Sequence, residues 1–470
     1  MRRAPLAWIS LLLLACGPSR GAGVSASTTG DAHAATSPAD PLTPARRRAL
    51  AAELRRSLHD ELLASWYPRA VDREQGGFLS QFDFEWKPTG NQDKMIVTQA
   101  RHVWTTARAS QLFPEDSALL AAAAHGAAFL RDRMWDAQYG GFYWLVSRDG
   151  MPKPEADGRI VKQAYGEAFG IYALAAYYDV SRDTAALQLA QRAFRWLDAH
   201  AHDPAHRGYF NYMTRDGTPL RGGLGRDTGK DQNSSIHLLE AFTELYRVWP
   251  DPTLRDRLRE MLALIRDTIV REPGMLTLFS TEDWTPVSYR DSTDAVRRAD
   301  RYYHDHVSFG HDVETAYLML EAADALGQHH DAATLRVGKK MLDHALRTGW
   351  DARVGGFYEA GYYFAGRDTL ALVDDTKNWW AQAEGLNTLL LFGDLYPNDP
   401  MRYHDRFVEQ WRYVNTYVID HEHGGWYAGG IDKQPQMRFA LKGQIWKAAY
   451  HDGRALMNVS HRLEQPEETR

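Results

Sequence analysis

Gly140-Gly141-Phe142 is a turn of small residues closed by an aromatic. The same punctuation stands at Gly76-Gly77-Phe78, Gly208-Tyr209-Phe210, Gly355-Gly356-Phe357 and Gly424-Gly425-Trp426, with a weaker sixth member at Pro273-Gly274-Met275. The glycines before the aromatic or Met (Gly77, Gly141, Gly208, Gly274, Gly356 and Gly425) follow one another at intervals of 64 to 82 residues. A period of this kind marks stacked supersecondary units, and it overrides the three separate domains that a length of 470 residues would suggest. Between turns the apolar residues recur at helical spacing, as in Val313, Ala316, Tyr317 and Leu320. Each interval has room for two helices and a short extended turn, so the sequence predicts six helical hairpins.

The faces of these helices favour closure of the array over an open superhelix. From Asn233 to Trp249, Leu238, Phe242, Leu245 and Trp249 fall on one stripe, while Asn233, His237, Glu240 and Glu244 fall on another. A solvated outer face would explain one such helix. Recurrence of the pattern on other helices is better explained by an inner ring around a polar axial pocket. The expected fold is all-α, an (α/α)6 barrel, formed as a single catalytic domain by residues 45–470.

With 44% hydrophobic and 25% charged residues the chain has ample material for a core and is not disordered. A formal charge of -6 gives no basic excess for a phosphate backbone, which argues against nucleic acid as a partner. Arg2 and Arg3 precede an apolar run from Leu6 to Ala15, with the make-up of an export signal and too short to span a membrane. The run ends in Leu13-Leu14-Ala15-Cys16-Gly17, which resembles a bacterial lipobox. Residues 1–16 are then a signal peptide ending at a lipidated Cys16, the only cysteine, and 17–44, rich in Gly, Ala, Ser, Thr and Pro, a flexible linker. The expected product is an exported, membrane-anchored lipoprotein facing the periplasm, touching membrane only through that anchor, monomeric or weakly dimeric. Ordinary cleavage near Val24-Ser25-Ala26 and a twin-arginine signal are the alternatives.

Three histidines dominate the candidate chemistry. Asn233-Ser234-Ser235-Ile236-His237-Leu238-Leu239-Glu240 and Ser308-Phe309-Gly310-His311-Asp312-Val313-Glu314 each place His and Glu three apart, on one helix face. The third is His451, five residues after Trp446. Ser or Asn upstream of the first two suits an N-cap, which puts the imidazole in the first helical turns, where the dipole favours a neutral base. Such a base suits proton abstraction from carbon. A hydrogen-bonded structural pair is the competing reading of each His-x-x-Glu. The spacing lacks His-Glu-x-x-His and reverses the Glu-x-x-His of di-iron bundles, so neither a metal nor another cofactor is expected. Trp379-Trp380-Ala381-Gln382-Ala383-Glu384 and Arg101-His102-Val103-Trp104 add indoles, an amide, a carboxylate and a cation suited to a sugar.

Together these motifs resemble the N-acylglucosamine 2-epimerase superfamily, most closely its cellobiose 2-epimerase branch, over nearly all of residues 46–460. The resemblance implies an (α/α)6 barrel and proton transfer at C2 of a reducing-end sugar through ring opening and a cis-enediolate. By position, His311 and His451 match the two acid/base residues, His237 a third assisting histidine, and Arg101 a cation for the enediolate oxygens. Glu240 and Glu314 are expected to orient the adjacent imidazoles. Asn233, Trp379, Trp380, Gln382, Glu384 and Trp446 are the expected substrate-binding set. The implied substrate is a disaccharide such as cellobiose or mannobiose, with N-acylglucosamine epimerisation or mannose isomerisation on the same barrel as alternatives. Another class, a toroid glycoside hydrolase, would use two of Glu240, Glu314 and Glu384. A sugar-binding lipoprotein would need no histidine trio. The stretch from Thr285 to Asp305, which lengthens one interval, is read as a lid.

Overall fold

The computed structural model describes residues 42–223, 228–291 and 304–465. The signal peptide, Cys16 and nearly all of the linker lie outside these residues, as does most of the lid stretch. Among the described residues twelve helices of 13 to 18 residues alternate between two rings. The outer ring is α1 (Pro44–Arg56), α3 (Ser117–Phe129), α5 (Thr184–Ala201), α7 (Pro252–Leu264), α9 (Ala332–Thr348) and α11 (Tyr403–Tyr417). The inner ring is α2 (Ile96–Leu112), α4 (Ala164–Ser181), α6 (Gln232–Val248), α8 (Phe309–Ala325), α10 (Trp379–Leu395) and α12 (His451–Glu464). Each inner helix packs on the next and α12 returns to α2, while α1 supplies the outer partner of α12. The fold is an (α/α)6 barrel closed by pairing its first and last helices. No described helix is long and apolar enough to cross a membrane.

Local chemistry separates the two rings. Five outer helices start at a side-chain cap, Thr43, Asp116, Asp183, Asp251 or Asp331, which satisfies backbone N–H groups near solvent. Four inner helices, α2, α4, α6 and α8, start directly from short strands, and the inner helices are largely buried, as α4 is from Ala164 to Tyr177. The polar stripe of α6 faces inward: His237, Glu240 and Glu244 are buried, which excludes a solvated outer face. Asp231, not Asn233 or Ser234, caps that helix, because the chain turns helical already at Gln232.

The joints between outer and inner helices share one device that a turn-by-turn reading of the sequence does not reveal. Lys94, Lys162, Lys230 and Lys377, with fully buried side chains, pair with Asp72, Asp136, Asp203 and Asp351 at 2.7 to 3.2 Å, and Lys442 pairs likewise with Asp420. Each ammonium also bonds a turn carbonyl (Gly76, Gly140, Arg207, Gly355 or Gly424) and lies over an aromatic face. The aspartates accept backbone N–H groups of the same turn. Paired and hydrogen-bonded in this way, a buried charge is tolerable; alone it is not. Five residues beyond the lysine a second polar group holds the turn aromatic: Gln99, Glu167 and Gln382 accept from the N–H of Phe78, Phe142 and Phe357 at 2.6 to 2.9 Å. Gln382, expected at the substrate, is therefore a buried fastener of the turn.

The weak sixth turn is the exception. Residues equivalent to the Asp and Lys are Arg271 and Val307, and Leu276 is held by Asp312 Oδ1 at 3.0 Å. At Lys162→Met, Asp136 loses its buried cation while keeping Arg215, and we expect a loss of about 3–5 kcal/mol of stability, the cost of stranding one member of a buried pair. Denaturant unfolding checks this, and additional replacement of Asp136 by Asn is expected to recover part of the loss.

Candidate active site

The inner helices bring their first turns together at one end of the barrel, in a register set by the lysine joints. Seven residues after each of Lys94, Lys162, Lys230 and Lys377 stand Arg101, Phe169, His237 and Glu384, and seven after Val307 stands Glu314. These positions share one level of the axis. Asn233, His311, Trp380 and Trp446 lie nearer the mouth and stay partly exposed, whereas His237 and His451 are buried.

Each imidazole has a defined partner at Nδ1. His237 meets Glu240 Oε2 at 2.8 Å, His451 meets Glu384 Oε1 at 2.6 Å, and His311 meets Ser308 Oγ at 2.7 Å. The rings of His311 and His451 both flank the Trp380 indole, with centroids 4.6 and 5.8 Å from it. Gly310 makes the first of these contacts possible, because a Cβ there would meet the Trp380 ring at 2.6 Å. Arg101 donates to the Trp446 carbonyl at 3.0 Å and the Tyr165 hydroxyl at 3.1 Å, and lies over the faces of Phe169 and Tyr450. Its buried Nε has no hydrogen-bond partner.

Beneath the histidines a single guanidinium gathers three carboxylates. Arg454 donates to Glu240, to Glu314 and, at 2.6 Å, to Glu384. Tyr450 donates to Glu240 at 2.6 Å and Tyr317 to Glu384 at 2.8 Å. Burial works to raise all three acids. For Glu240 the Arg454 charge and the His237 bond outweigh it and hold the carboxyl at about 2. Glu314 is pushed up to about 7 by burial and by the charge of Glu384, against the pull of Arg454. His311 is driven down to about 3 by burial and by the neighbouring His237, His306 and His451; burial, Arg101 and Arg454 lower His451 as well. Positions at helix starts act in the same direction: His451 is the first residue of α12 and His311 the third of α8.

Three expectations change. Glu314 does not orient His311; side chains lean toward the helix N-terminus, so the ring reaches back to Ser308 and Glu314 is left to Arg454. Glu384, expected on the sugar, is fully buried beneath His451. Trp379 points about 100° away from Trp380 around the helix and packs in the core under Lys447. Arg454, Ser308, Tyr317 and Tyr450 were not anticipated. The three-residue spacing that singled out His237-Glu240 would have found Arg454, three after His451.

A sequence profile described as N-acylglucosamine 2-epimerase (GlcNAc 2-epimerase) matches residues 76–452. The cellobiose 2-epimerase of Ruminococcus albus is 30% identical, with 87% of this chain and 97% of the relative covered. That of Bacteroides fragilis is 27% identical at the same coverage. Among solved structures, cellobiose 2-epimerase from Spirochaeta thermophila superposes with a TM-score of 0.76 at 30% identity, over 89% of this chain and 97% of that one. A profile match across most of the barrel, together with a 30% identical relative covered almost end to end, means that this chain belongs to the N-acylglucosamine 2-epimerase family and is a carbohydrate epimerase, an isomerase.

Proposed function

We propose that the protein inverts C2 of a reducing-end sugar, a disaccharide such as cellobiose or mannobiose, by proton transfer between His311 and His451. The observation that carries this reading is two imidazoles from the helices on either side of α10, both against the Trp380 indole of that helix, each with Nδ1 occupied and Nε2 left for chemistry. With the ring open, one neutral imidazole takes the C2 proton, and the electron pair of the broken C–H bond moves into an enediolate across C1 and C2. The other histidine, protonated as imidazolium, gives its Nε2 proton to the opposite face and ends neutral, and the pair flows back to restore the aldehyde; the two rings have then exchanged protonation states. Arg101, whose guanidinium bonds the Trp446 carbonyl and the Tyr165 hydroxyl, holds the enediolate oxygens. His237, fixed by Glu240, assists ring opening. Asn233, partly exposed at the mouth, contacts a sugar hydroxyl.

The disaccharide preference rests on the named relatives and on an aromatic wall beside Arg101. Trp446 lies 5.9 Å from Trp144 and 6.4 Å from Tyr165, and both indoles are partly exposed, a surface suited to a second sugar ring. Hydrolysis is disfavoured by the carboxylates themselves. Glu240, Glu314 and Glu384 converge on one guanidinium in the buried layer, leaving no pair to flank a glycosidic bond.

Incubation with cellobiose, mannobiose, glucose, mannose and N-acetylglucosamine in heavy water tests the reading. NMR should show deuterium entering C2 of the reducing sugar with no new reducing ends, whereas monosaccharide release with C2 unlabelled would replace epimerisation by hydrolysis, and a ketose product would place the protein among the isomerases. His311→Ala and His451→Ala should each abolish net epimerisation while retaining at most wash-out from one epimer, a different one in each. Arg101→Ala should depress exchange from both epimers by about 10²–10³, because the enediolate is common to both directions. We propose further that the chain is exported and held to a membrane by lipid on Cys16. Cys16→Ser should then move the protein to the soluble fraction with its activity unchanged; full retention on membranes would end that reading.

A further inference from the structure

The three active-site histidines are not backed alike. His237 and His451 face carboxylates, which can only accept a hydrogen bond, but His311 faces a hydroxyl, Ser308 Oγ at 2.7 Å. Ser308 occupies the N-cap of α8 and yet makes no side-chain capping bond. The equivalent residue of α6, Asp231, spends its carboxylate on the Ser234 N–H at 2.6 Å. Ser308 thus gives up the bond that an N-cap serine ordinarily supplies, and directs its hydroxyl at the ring. Its backbone is fixed, since the short strand Val307–Ser308 pairs with Ala360–Tyr362 at Ser308↔Ala360, and the residue is 4% exposed.

We infer that Ser308 is a positioning residue for His311: its oxygen accepts Nδ1–H, which aims Nε2 at the substrate carbon, and as a neutral partner it leaves the His311 imidazolium without the carboxylate support that His451 receives from Glu384. The inference rests on the two-histidine reading above. The groups that act on the charge of His311 are His237 from α6, His306 from the segment before α8 and His451 from α12, all cationic when charged. Trp380 from α10 covers one side of its ring. None of these supplies the stabilisation that a carboxylate would, so the nature of residue 308 sets how readily this base is lost to protonation. The two faces of C2 are therefore served by bases of different character.

Ser308→Ala, Ser308→Thr and Ser308→Asp test this by deuterium wash-out from each epimer across pH. Ser308→Ala should slow the epimer that depends on His311 by about tenfold to a hundredfold, with KM unchanged and the other epimer little affected, and Ser308→Thr should restore the rate. Ser308→Asp raises the His311 affinity for protons. Because the base works only when neutral, the acid limb of that epimer's profile should move to higher pH by a unit or more, with the other limb in place. Nitrogen-15 NMR of labelled histidine gives a readout independent of turnover: the resonance absent from His311→Gln should show Nδ1–H in the wild type and lose that preference in Ser308→Ala. Equal slowing of both epimers, an unmoved acid limb in Ser308→Asp, or an unchanged tautomer in Ser308→Ala would overturn the inference. Absence of exchange at C2 in the wild type would instead refute the two-histidine reading on which it stands.

Discussion

An ammonium group buried away from water needs polar partners around it, and at five joints of this barrel a carboxylate and a turn carbonyl supply them. Lys94, Lys162, Lys230, Lys377 and Lys442 each tie the first residues of an inner segment to the turn that ends the preceding outer helix. Slipping any joint by one residue would strand a charge on both sides, at several kcal/mol. The ring is therefore held in register less by its helix–helix contacts, which tolerate repacking, than by pairs that do not.

That register is what assembles the site. A helix turns 100° per residue, so equal offsets from the lysine reach the same level and face of successive inner helices. Arg101, His237 and Glu384 come from helices more than a hundred residues apart, yet the shared offset of seven delivers them to one layer. Below it, Arg454 fastens Glu240, Glu314 and Glu384 together, and through two of them reaches His237 and His451. The positions of His237 and His451 are fixed by this charged floor, whose own geometry is fixed by the joints, while His311 is held by Ser308.

How much of this was legible varied with the kind of signal. The six-fold turn is written in glycines and aromatics, and the helix count and barrel closure follow from it and from the polar stripe of α6. His237, His311, His451, Arg101, Trp380 and Trp446 were reached through spacing and family resemblance, and the structure brings them together. The misplaced residues are those whose direction depends on a neighbouring helix. Gln382 and Glu384 differ by two positions on α10, and only the packed barrel sends one to a turn and the other beneath His451. The lysine–aspartate pairs escaped notice because partners 22 to 27 residues apart show no helical or strand periodicity.

The repeat that breaks the rule is the one that supplies His311. With Val307 where the other five have lysine, and Arg271 where they have aspartate, no buried charge pair pins this joint. Asp312, five residues beyond Val307, keeps the fastener that Gln99, Glu167 and Gln382 provide elsewhere, holding Leu276 with one oxygen while burial raises its carboxyl well above the usual range. The next residue, Ser308, makes no side-chain cap, as Met95, Gln163 and Asn378 make none after their lysines, and its hydroxyl turns to the imidazole. Local departures from an otherwise consistent pattern concentrate at functional positions because a structural optimum and a chemical one compete for the same atoms. Here five joints keep the barrel rigid enough for the sixth to give up its clamp.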